Sequence, residues 1–172
     1  MNLIAKSTTL ASICFLAISS QAAETCPNFA GKWKGTCESA IGNQEDQTEV
    51  TLEITQNGCK SIKLPKVTDQ TLRIGKTSHF KTKTGEGTNQ QVLASTFYPY
   101  FSPSAPGTIV FHQTSLAHAA KNSTFEAPSV VSGVETFAVG SEKLTHTGDY
   151  SIIDRDGSKI QWQTRCLYSK AE

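Results

Sequence analysis

Thr48-Glu-Val-Thr-Leu-Glu-Ile-Thr-Gln-Asn-Gly-Cys-Lys-Ser-Ile-Lys-Leu64 is the stretch of sequence that decides the fold. Its apolar residues Val50, Leu52 and Ile54 alternate with polar ones, and a period of two is typical of a strand with one wet face. The dipeptide Asn57-Gly58 follows, and it tolerates the positive φ angles of a type I′ turn. The stretch therefore predicts a β-hairpin whose second strand begins just after the glycine.

The same alternation recurs along the rest of the chain. Residues 150–154 and 160–168 alternate around Asp156-Gly157 and predict a second hairpin. Further strands are predicted at 70–74, 79–84, 91–98, 108–114, 130–139 and 143–147. The alanine-rich residues 116–121 predict a single turn of helix. Many short strands favour an all-β domain, either an antiparallel up-and-down meander barrel or a barrel-like sandwich of about 8–10 strands.

The first 22 residues have the composition of a secretory signal peptide. Lys6 precedes an apolar run at 10–18, and Ser20 and Ala22 fit the small-residue rule for cleavage. The run is shorter than the roughly 20 apolar residues of a transmembrane helix, so we expect no membrane span. Cleavage would leave a single β domain, residues 23–172, exported to the periplasm or to the medium.

The cysteines predict two disulfides. Cys14 lies in the predicted signal peptide, which leaves Cys26, Cys37, Cys59 and Cys166. An even number of cysteines in an exported chain is typical of disulfides, and a metal site would need closer spacing. Three pairings are open, and we favour one in which Cys166 joins the two ends of the chain. The predicted strand directions place Cys37 apart from the other three.

Charge and motifs exclude several classes of function. The formal net charge of +1 without a clustered basic face argues against a nucleic-acid partner. The four histidines, His79, His112, His118 and His146, have no metal-site or catalytic spacing. We expect no cofactor, and no nucleophile, base and orienting group can be assembled, so a non-enzymatic protein is expected.

Three aspartates near the second hairpin are the remaining candidate metal ligands. Asp149, Asp154 and Asp156 could hold Ca²⁺, but Asp in a turn already has a local explanation in hydrogen bonds to nearby backbone. We therefore expect turn residues here and no metal site.

Residues 97–107, Phe-Tyr-Pro-Tyr-Phe-Ser-Pro-Ser-Ala-Pro-Gly, have the most unusual composition in the chain. Proline stiffens such a segment, and aromatic side chains supply contact area at low entropic cost. The composition predicts a loop. It either plugs one end of a barrel or forms an exposed binding element through Phe97, Tyr98, Tyr100 and Phe101.

Gly31-Lys32-Trp33, shortly after Cys26, resembles the Gly-x-Trp opening of the calycins, the small barrels that include lipocalins and avidins. The hairpin around Asp154-Arg155-Asp156-Gly157 is similar to one near the end of avidin. The resemblance implies that Gly31 leads into the first strand, that Trp33 closes one end of the barrel, and that a basic residue of the last strand covers it. Arg165 is the candidate.

The resemblance also implies a function. We expect a small-molecule-binding, lipocalin-like protein whose ligand is small and largely apolar, with Trp33, Trp162 and the aromatic segment as ligand contacts. The alternative is a protein-interaction or enzyme-inhibitor module that acts through residues 97–107.

Overall fold

A computed structural model describes residues 26–41, 44–65, 67–84, 91–119, 129–154 and 156–171. The predicted signal peptide and Cys14 lie outside these residues. Within them the chain forms ten strands. These are β1 (Gly31–Ile41), β2 (Gln44–Asn57), β3 (Ser61–Leu64), β4 (Thr68–Arg73), β5 (Ser78–Thr84), β6 (Gln91–Phe101), β7 (Thr108–Ala119), β8 (Ser129–Val139), β9 (Lys143–Ile153) and β10 (Lys159–Lys170). None of the described residues lies in a helix long and apolar enough to cross a membrane.

The strands form an antiparallel up-and-down barrel that is nearly closed, which confirms the predicted fold class. Their order is β4-β3-β2-β1-β10-β9-β8-β7-β6-β5, so the first strand pairs with both the second and the last. The gap among the described strands lies between β4 and β5. There the backbone N–H of Gly75 donates to the carbonyl of Pro99 at 2.7 Å. The architecture is compatible with a calycin-like fold.

Two disulfides are present, as predicted. Cys37 of β1 lies directly opposite Cys166 of β10 and is bonded to it, so Cys166 does join the first strand to the last. Cys26 is bonded to Cys59 in the turn after β2. The predicted placement of Cys37 apart from Cys166 is wrong, because the antiparallel register brings both to the middle of their strands. Two disulfides suggest an oxidising, exported environment.

The hairpin predicted around Asn57-Gly58 is present, but its turn has three residues. Asn57 pairs with Ser61, and the Lys60 N–H donates to the Asn57 carbonyl at 3.0 Å. Gly58 has φ 49°, the left-handed conformation that favours glycine. The prediction of a two-residue turn is therefore wrong. Cys59 remains in the turn, where it forms the disulfide with Cys26, and strand pairing resumes only at Ser61.

The helical turn predicted at 116–121 is also wrong for its described part. β7 continues as a strand to Ala119, paired with β6 on one side and with β8 as far as Ala117. Strand pairing provides hydrogen-bond partners for the backbone of this segment, whereas a single turn of helix has little stability of its own.

The first five residues of the aromatic segment, 97–101, are strand rather than loop. β6 continues to Phe101, and only residues 102–107 connect it to β7. β5 pairs with β6 no further than Phe97. Beyond Phe97 no described strand pairs with this side of β6, so the missing N–H of Pro99 costs no hydrogen bond between strands. Sheets tolerate proline at such an unpaired edge.

The residues before β1 fill one end of the barrel, which we call the closed end. Phe29 is fully buried there and stacks on Phe101 at a centroid distance of 6.4 Å. The Trp33 indole N–H donates to the Phe29 carbonyl at 3.0 Å, and the side chain of Gln56 accepts from the Phe29 N–H at 2.8 Å. Gln56 also donates to the Pro27 carbonyl at 2.9 Å. These bonds and the Cys26–Cys59 disulfide hold residues 26–30 across this end.

Replacing Cys37 and Cys166 together with Ala should lower the free energy of unfolding by about 5 kcal/mol, because the unfolded chain gains a loop that the disulfide had closed. That loop spans 129 residues, against 33 for the other disulfide. The matched variant Cys26→Ala/Cys59→Ala should therefore lose less, about 4 kcal/mol. Guanidinium unfolding without reductant measures both. A larger loss for the shorter loop would contradict this ranking.

Candidate functional site

The interior of the barrel has two halves that differ in solvent exposure. Towards the closed end the inward-facing side chains are buried, for example Leu52, Ile109 and Leu144. Towards the other end, which we call the mouth, most inward-facing side chains keep some exposure. On the inner face of this half, by register and alternation, lie Ser39, Ile41, Gln44, Asp46, Thr48, Phe80, Thr82, Leu93, Ser95, Gln113, Val131, Tyr150, Ile152, Ile160 and Trp162. The mouth half is therefore open to solvent.

A buried polar network separates the two halves. His146 of β9 and Glu135 of β8 are 3% and 2% exposed, and the imidazole Nε2–H donates to Glu135 Oε2 at 3.0 Å. The His146 ring stacks on Phe137 at 4.1 Å, and its Nδ1 lies 3.4 Å from Cys166 Sγ. Two ionisable groups enclosed at this depth need each other as partners, since a lone buried charge costs several kcal/mol.

Tyr150 connects this network to the mouth. Its ring covers Gly133 and Gly148, where a Cβ at either position would collide with the ring. It also stacks on Trp162 at 4.8 Å. Its hydroxyl is hydrogen-bonded to the Glu135 carboxylate. The two glycines therefore provide the space that lets the tyrosine reach the buried acid.

Two tyrosines have raised pKa values. Burial, followed by the negative charge of Glu135 and the hydrogen bond to it, raises the pKa of Tyr150 far above its ordinary value. Burial, followed by the charge of Glu135, raises the pKa of Tyr168 to about 12. The Tyr168 hydroxyl donates to Cys37 Sγ at 3.2 Å. Both tyrosines therefore serve as neutral hydrogen-bond donors at ordinary pH.

Hydroxyl and amide groups continue the polar layer around the barrel. Ser95 and Ser115 are hydrogen-bonded at 2.8 Å, and the Gln113 side chain donates to Ser115 at 3.1 Å. On the facing wall, Ser39 and Thr164 lie 3.4 Å apart. The floor of the mouth half is therefore polar.

The indole N–H of Trp162 has no partner among the described residues although the nitrogen is buried. A buried donor of this kind is rarely left without an acceptor in a native protein. Trp162 lies opposite Ile41 and Tyr150 in the strand register, on the inner face of the mouth half. The indole N–H is therefore an unsatisfied buried donor within the described residues.

A cleft of about 550 Å³ lies beside the β1–β2 hairpin at the mouth. Its charged residues are three acids, Glu38, Glu45 and Asp46, and one base, Arg165. By register and alternation Glu38, Glu45 and Arg165 lie on the outer face of their strands, and of these four charged residues only Asp46 lies on the inner face.

The network supplies part of what acid–base catalysis requires. Glu135 and His146 have the hydrogen-bonded geometry of a base and its orienting group. The sulfur next to His146 belongs to the Cys37–Cys166 disulfide, so it is not a thiolate nucleophile. The described contacts therefore show a buried proton-holding pair without an attacking group.

The residues predicted for ligand contact are distributed over three places. Trp33 is buried at the closed end, whereas Trp162 lies in the mouth half. Phe97 is in the core and Phe101 packs against it. Tyr98 and Tyr100 lie on the outer face of β6, because alternate residues of a strand point to opposite faces. Residues 97–101 therefore face the core and the outer surface alternately, as strand residues rather than as a loop that plugs the barrel or projects from it.

The basic residue opposite Trp33 in the last strand is Lys170, not Arg165. Trp33 pairs with Lys170, and Gly31 lies beside both, since a Cβ there would be 3.7 Å from Lys170 Cε and 4.0 Å from Trp33 Nε1. Arg165 pairs with Glu38 on the outer face, five residues along the strand. Arg165 is therefore not placed to cover Trp33, because its odd position in β10 points it away from the interior.

The sequence interpretation missed Glu135, His146 and Tyr150. From the sequence the histidines are expected to be scattered surface or strand residues, and Glu135 has no predicted role. A signal was available, since both polar residues fall on the apolar phase of their strands, Glu135 two positions before Phe137 and His146 two positions after Leu144. Charged residues that interrupt the inner faces of consecutive strands indicate a buried pair.

Of the three aspartates near the second hairpin, Asp156 has the predicted local role, whereas Asp149 lies within β9 and the Asp154 carboxylate accepts a hydrogen bond from Ser129 of β8 at 3.3 Å. Asp156 Oδ1 accepts from the Ser158 N–H at 2.8 Å, and the hydrogen bonds from Ser158 lower the pKa of Asp156. The described residues contain no group of three or more His, Cys, Asp or Glu that could hold a metal ion.

Comparisons with known proteins do not assign this chain to a family. No protein-family model matches it, and searches of curated proteins and of solved structures find no match. Its function is therefore argued from the site.

The raised tyrosine pKa values predict a loss of stability at alkaline pH. Above about pH 10 the unfolded chain releases protons that the native protein keeps, so the stabilisation is complete below pH 10 and is lost as the pH rises towards 12. Unfolding midpoints across this range, with the ultraviolet absorbance of tyrosinate, measure the effect.

Two variants control this measurement. Tyr168→Phe should weaken the alkaline loss, and Glu135→Gln should lower the pKa of Tyr150 by removing the nearby charge. Ionisation of all four tyrosines in the folded protein below about pH 11 would contradict the burial argument.

Proposed function

We propose that the protein is an exported, lipocalin-like binding protein that takes a small, largely apolar molecule into the mouth half of the barrel. The observation that supports this most is the exposure of apolar side chains on the inner face. Ile41 and Ile160 are 46% and 39% exposed although their strand positions point them inward. Apolar surface that remains accessible inside a concave site favours ligand binding.

The neighbours of these residues make the surface continuous. Ile41 lies opposite Trp162, and Ile160 lies opposite Ile152, so one wall of the mouth is apolar and aromatic. Barrels of about eight strands are wide enough for one small ligand. The described part of this barrel has ten strands, and its large, fully buried side chains, such as Trp33, Leu52 and Leu144, lie towards the closed end.

The proposed location is the periplasm or the medium. Two disulfides persist in such compartments, whereas cytosolic reductants keep thiols reduced.

Ile160→Arg should abolish binding in the mouth, because a charged side chain would lie on the apolar wall. The matched control is Leu167→Arg on the outer face of the same strand, where the side chain is 53% exposed. Fluorescence of the neutral dye N-phenylnaphthylamine reports binding, and native mass spectrometry of the purified protein reports a retained molecule. We expect affinity to fall by at least about tenfold for the first variant and to be unchanged for the second. Equal binding by both would reject the mouth as the site.

A second candidate function is protein interaction or enzyme inhibition through the outer aromatic patch, formed by Tyr98, Tyr100, His112 and Val134. Tyr98 is 41% exposed, and Tyr100 stacks on His112 at 5.7 Å. Tyrosine is enriched in the centres of protein interfaces.

The double variant Tyr98→Ala/Tyr100→Ala tests this second function. Because both side chains lie on the outer face, the fold should be retained, and partners captured from periplasm or medium should be lost. The control is Thr114→Ala on the outer face of β7, which should retain them. Unchanged capture by the double variant would exclude the patch.

A further inference from the structure

The charges on the inner face restrict which ligands the mouth can accept. We infer that the ligand is an uncharged or cationic, ring-bearing molecule with a hydrogen-bond acceptor, and that carboxylates and other anions are excluded. The inference rests on the proposed binding function and specifies the chemistry of the same site.

The first observation is the distribution of basic residues. By register, no Lys or Arg of the described strands lies on the inner face between the Cys37–Cys166 disulfide and the mouth. Lys170 is on the inner face, but at the closed end beside Trp33. An anion moved from water into this half would find no counter-ion, and desolvating an unpaired charge is costly.

Acidic residues, unlike basic ones, do lie on the inner face of the mouth half. Asp46 lies on the inner face of β2, opposite Ser39, and it also lines the acidic cleft. Below it, the Glu135 carboxylate engages His146 and Tyr150, so His146 is not available to an incoming anion. The field in the mouth half therefore attracts cations and repels anions.

The second observation is independent of charge. The buried Trp162 N–H lacks an acceptor among the described residues, and the ring stacks on Tyr150. Because the nitrogen is closed to solvent, a carbonyl, ether or ring nitrogen of a ligand would reach this donor only with a shift of the side chains that cover it, while Ile41 beside it offers an apolar contact. Aromatic faces also favour flat rings and cations.

Three dyes with naphthalene rings separate these contributions. Anilinonaphthalenesulfonate is N-phenylnaphthylamine with an added sulfonate, so the pair differs in charge. Prodan, a neutral naphthyl ketone, adds the acceptor that N-phenylnaphthylamine lacks. Each dye is titrated with the oxidised full-length mature protein at one ionic strength.

We expect the neutral amine to bind at least about tenfold more tightly than the sulfonate. Asp46→Asn should reduce the difference in affinity between the two dyes. Glu142 is an exposed acid near the closed end, so Glu142→Gln should leave that difference unchanged. Trp162→Phe keeps a ring but removes the donor. The variant should lower the affinity for prodan by a few-fold, which is the effect of one hydrogen bond, and leave the affinity for N-phenylnaphthylamine unchanged.

Sulfonate binding as tight as that of the neutral amine would overturn the charge restriction while leaving the binding function intact. If Trp162→Phe lowers the affinities for prodan and N-phenylnaphthylamine equally, the inference that the ligand accepts a hydrogen bond from Trp162 is overturned. Failure of all three dyes to bind would reject the proposed function and the inference together.

Discussion

The pairing of the first strand with the last is the constraint on which the rest of the structure depends. It runs from Trp33 opposite Lys170 to Ile41 opposite Trp162, and the Cys37–Cys166 disulfide fixes it at the centre. Without this pairing the meander would remain an open sheet with two unprotected faces. With it, every inward-facing side chain of ten strands is directed to a common interior, and the buried network forms next to the disulfide.

The interior is divided by chemistry as well as by space. Aromatic and aliphatic side chains fill the closed end, whereas Glu135, His146 and Tyr150 form a layer beneath the mouth. Such a pair is not an efficient way to stabilise a core, because apolar residues of similar volume often do as well or better. Its position beneath the mouth places the Glu135 carboxylate against Tyr150, which in turn stacks on Trp162.

The sequence predicted the fold class well because period-two alternation survives in nearly every strand. Val50, Leu52 and Ile54 point to the same face whether or not the partner strand is known. Pairing between distant strands carries no such local signal, so strand directions alone wrongly placed Cys37 apart from Cys166. Pro99 was predicted to lie in a loop for a related reason, because only the tertiary structure shows that β5 does not pair with β6 at this position. The buried Glu135–His146 pair depends on that same long-range register.

The meeting of β1 with β10 also has a consequence for folding kinetics. Most strand pairs join neighbours in the chain, but this pair closes contacts across more than a hundred residues, 129 between the two cysteines. Topologies that need such distant contacts fold slowly, because loop-closure entropy is lost before the contact is gained. During synthesis β1 is available long before its final partner, with one edge unpaired and open to association with other chains. Closure of the barrel therefore waits for the last residues to arrive.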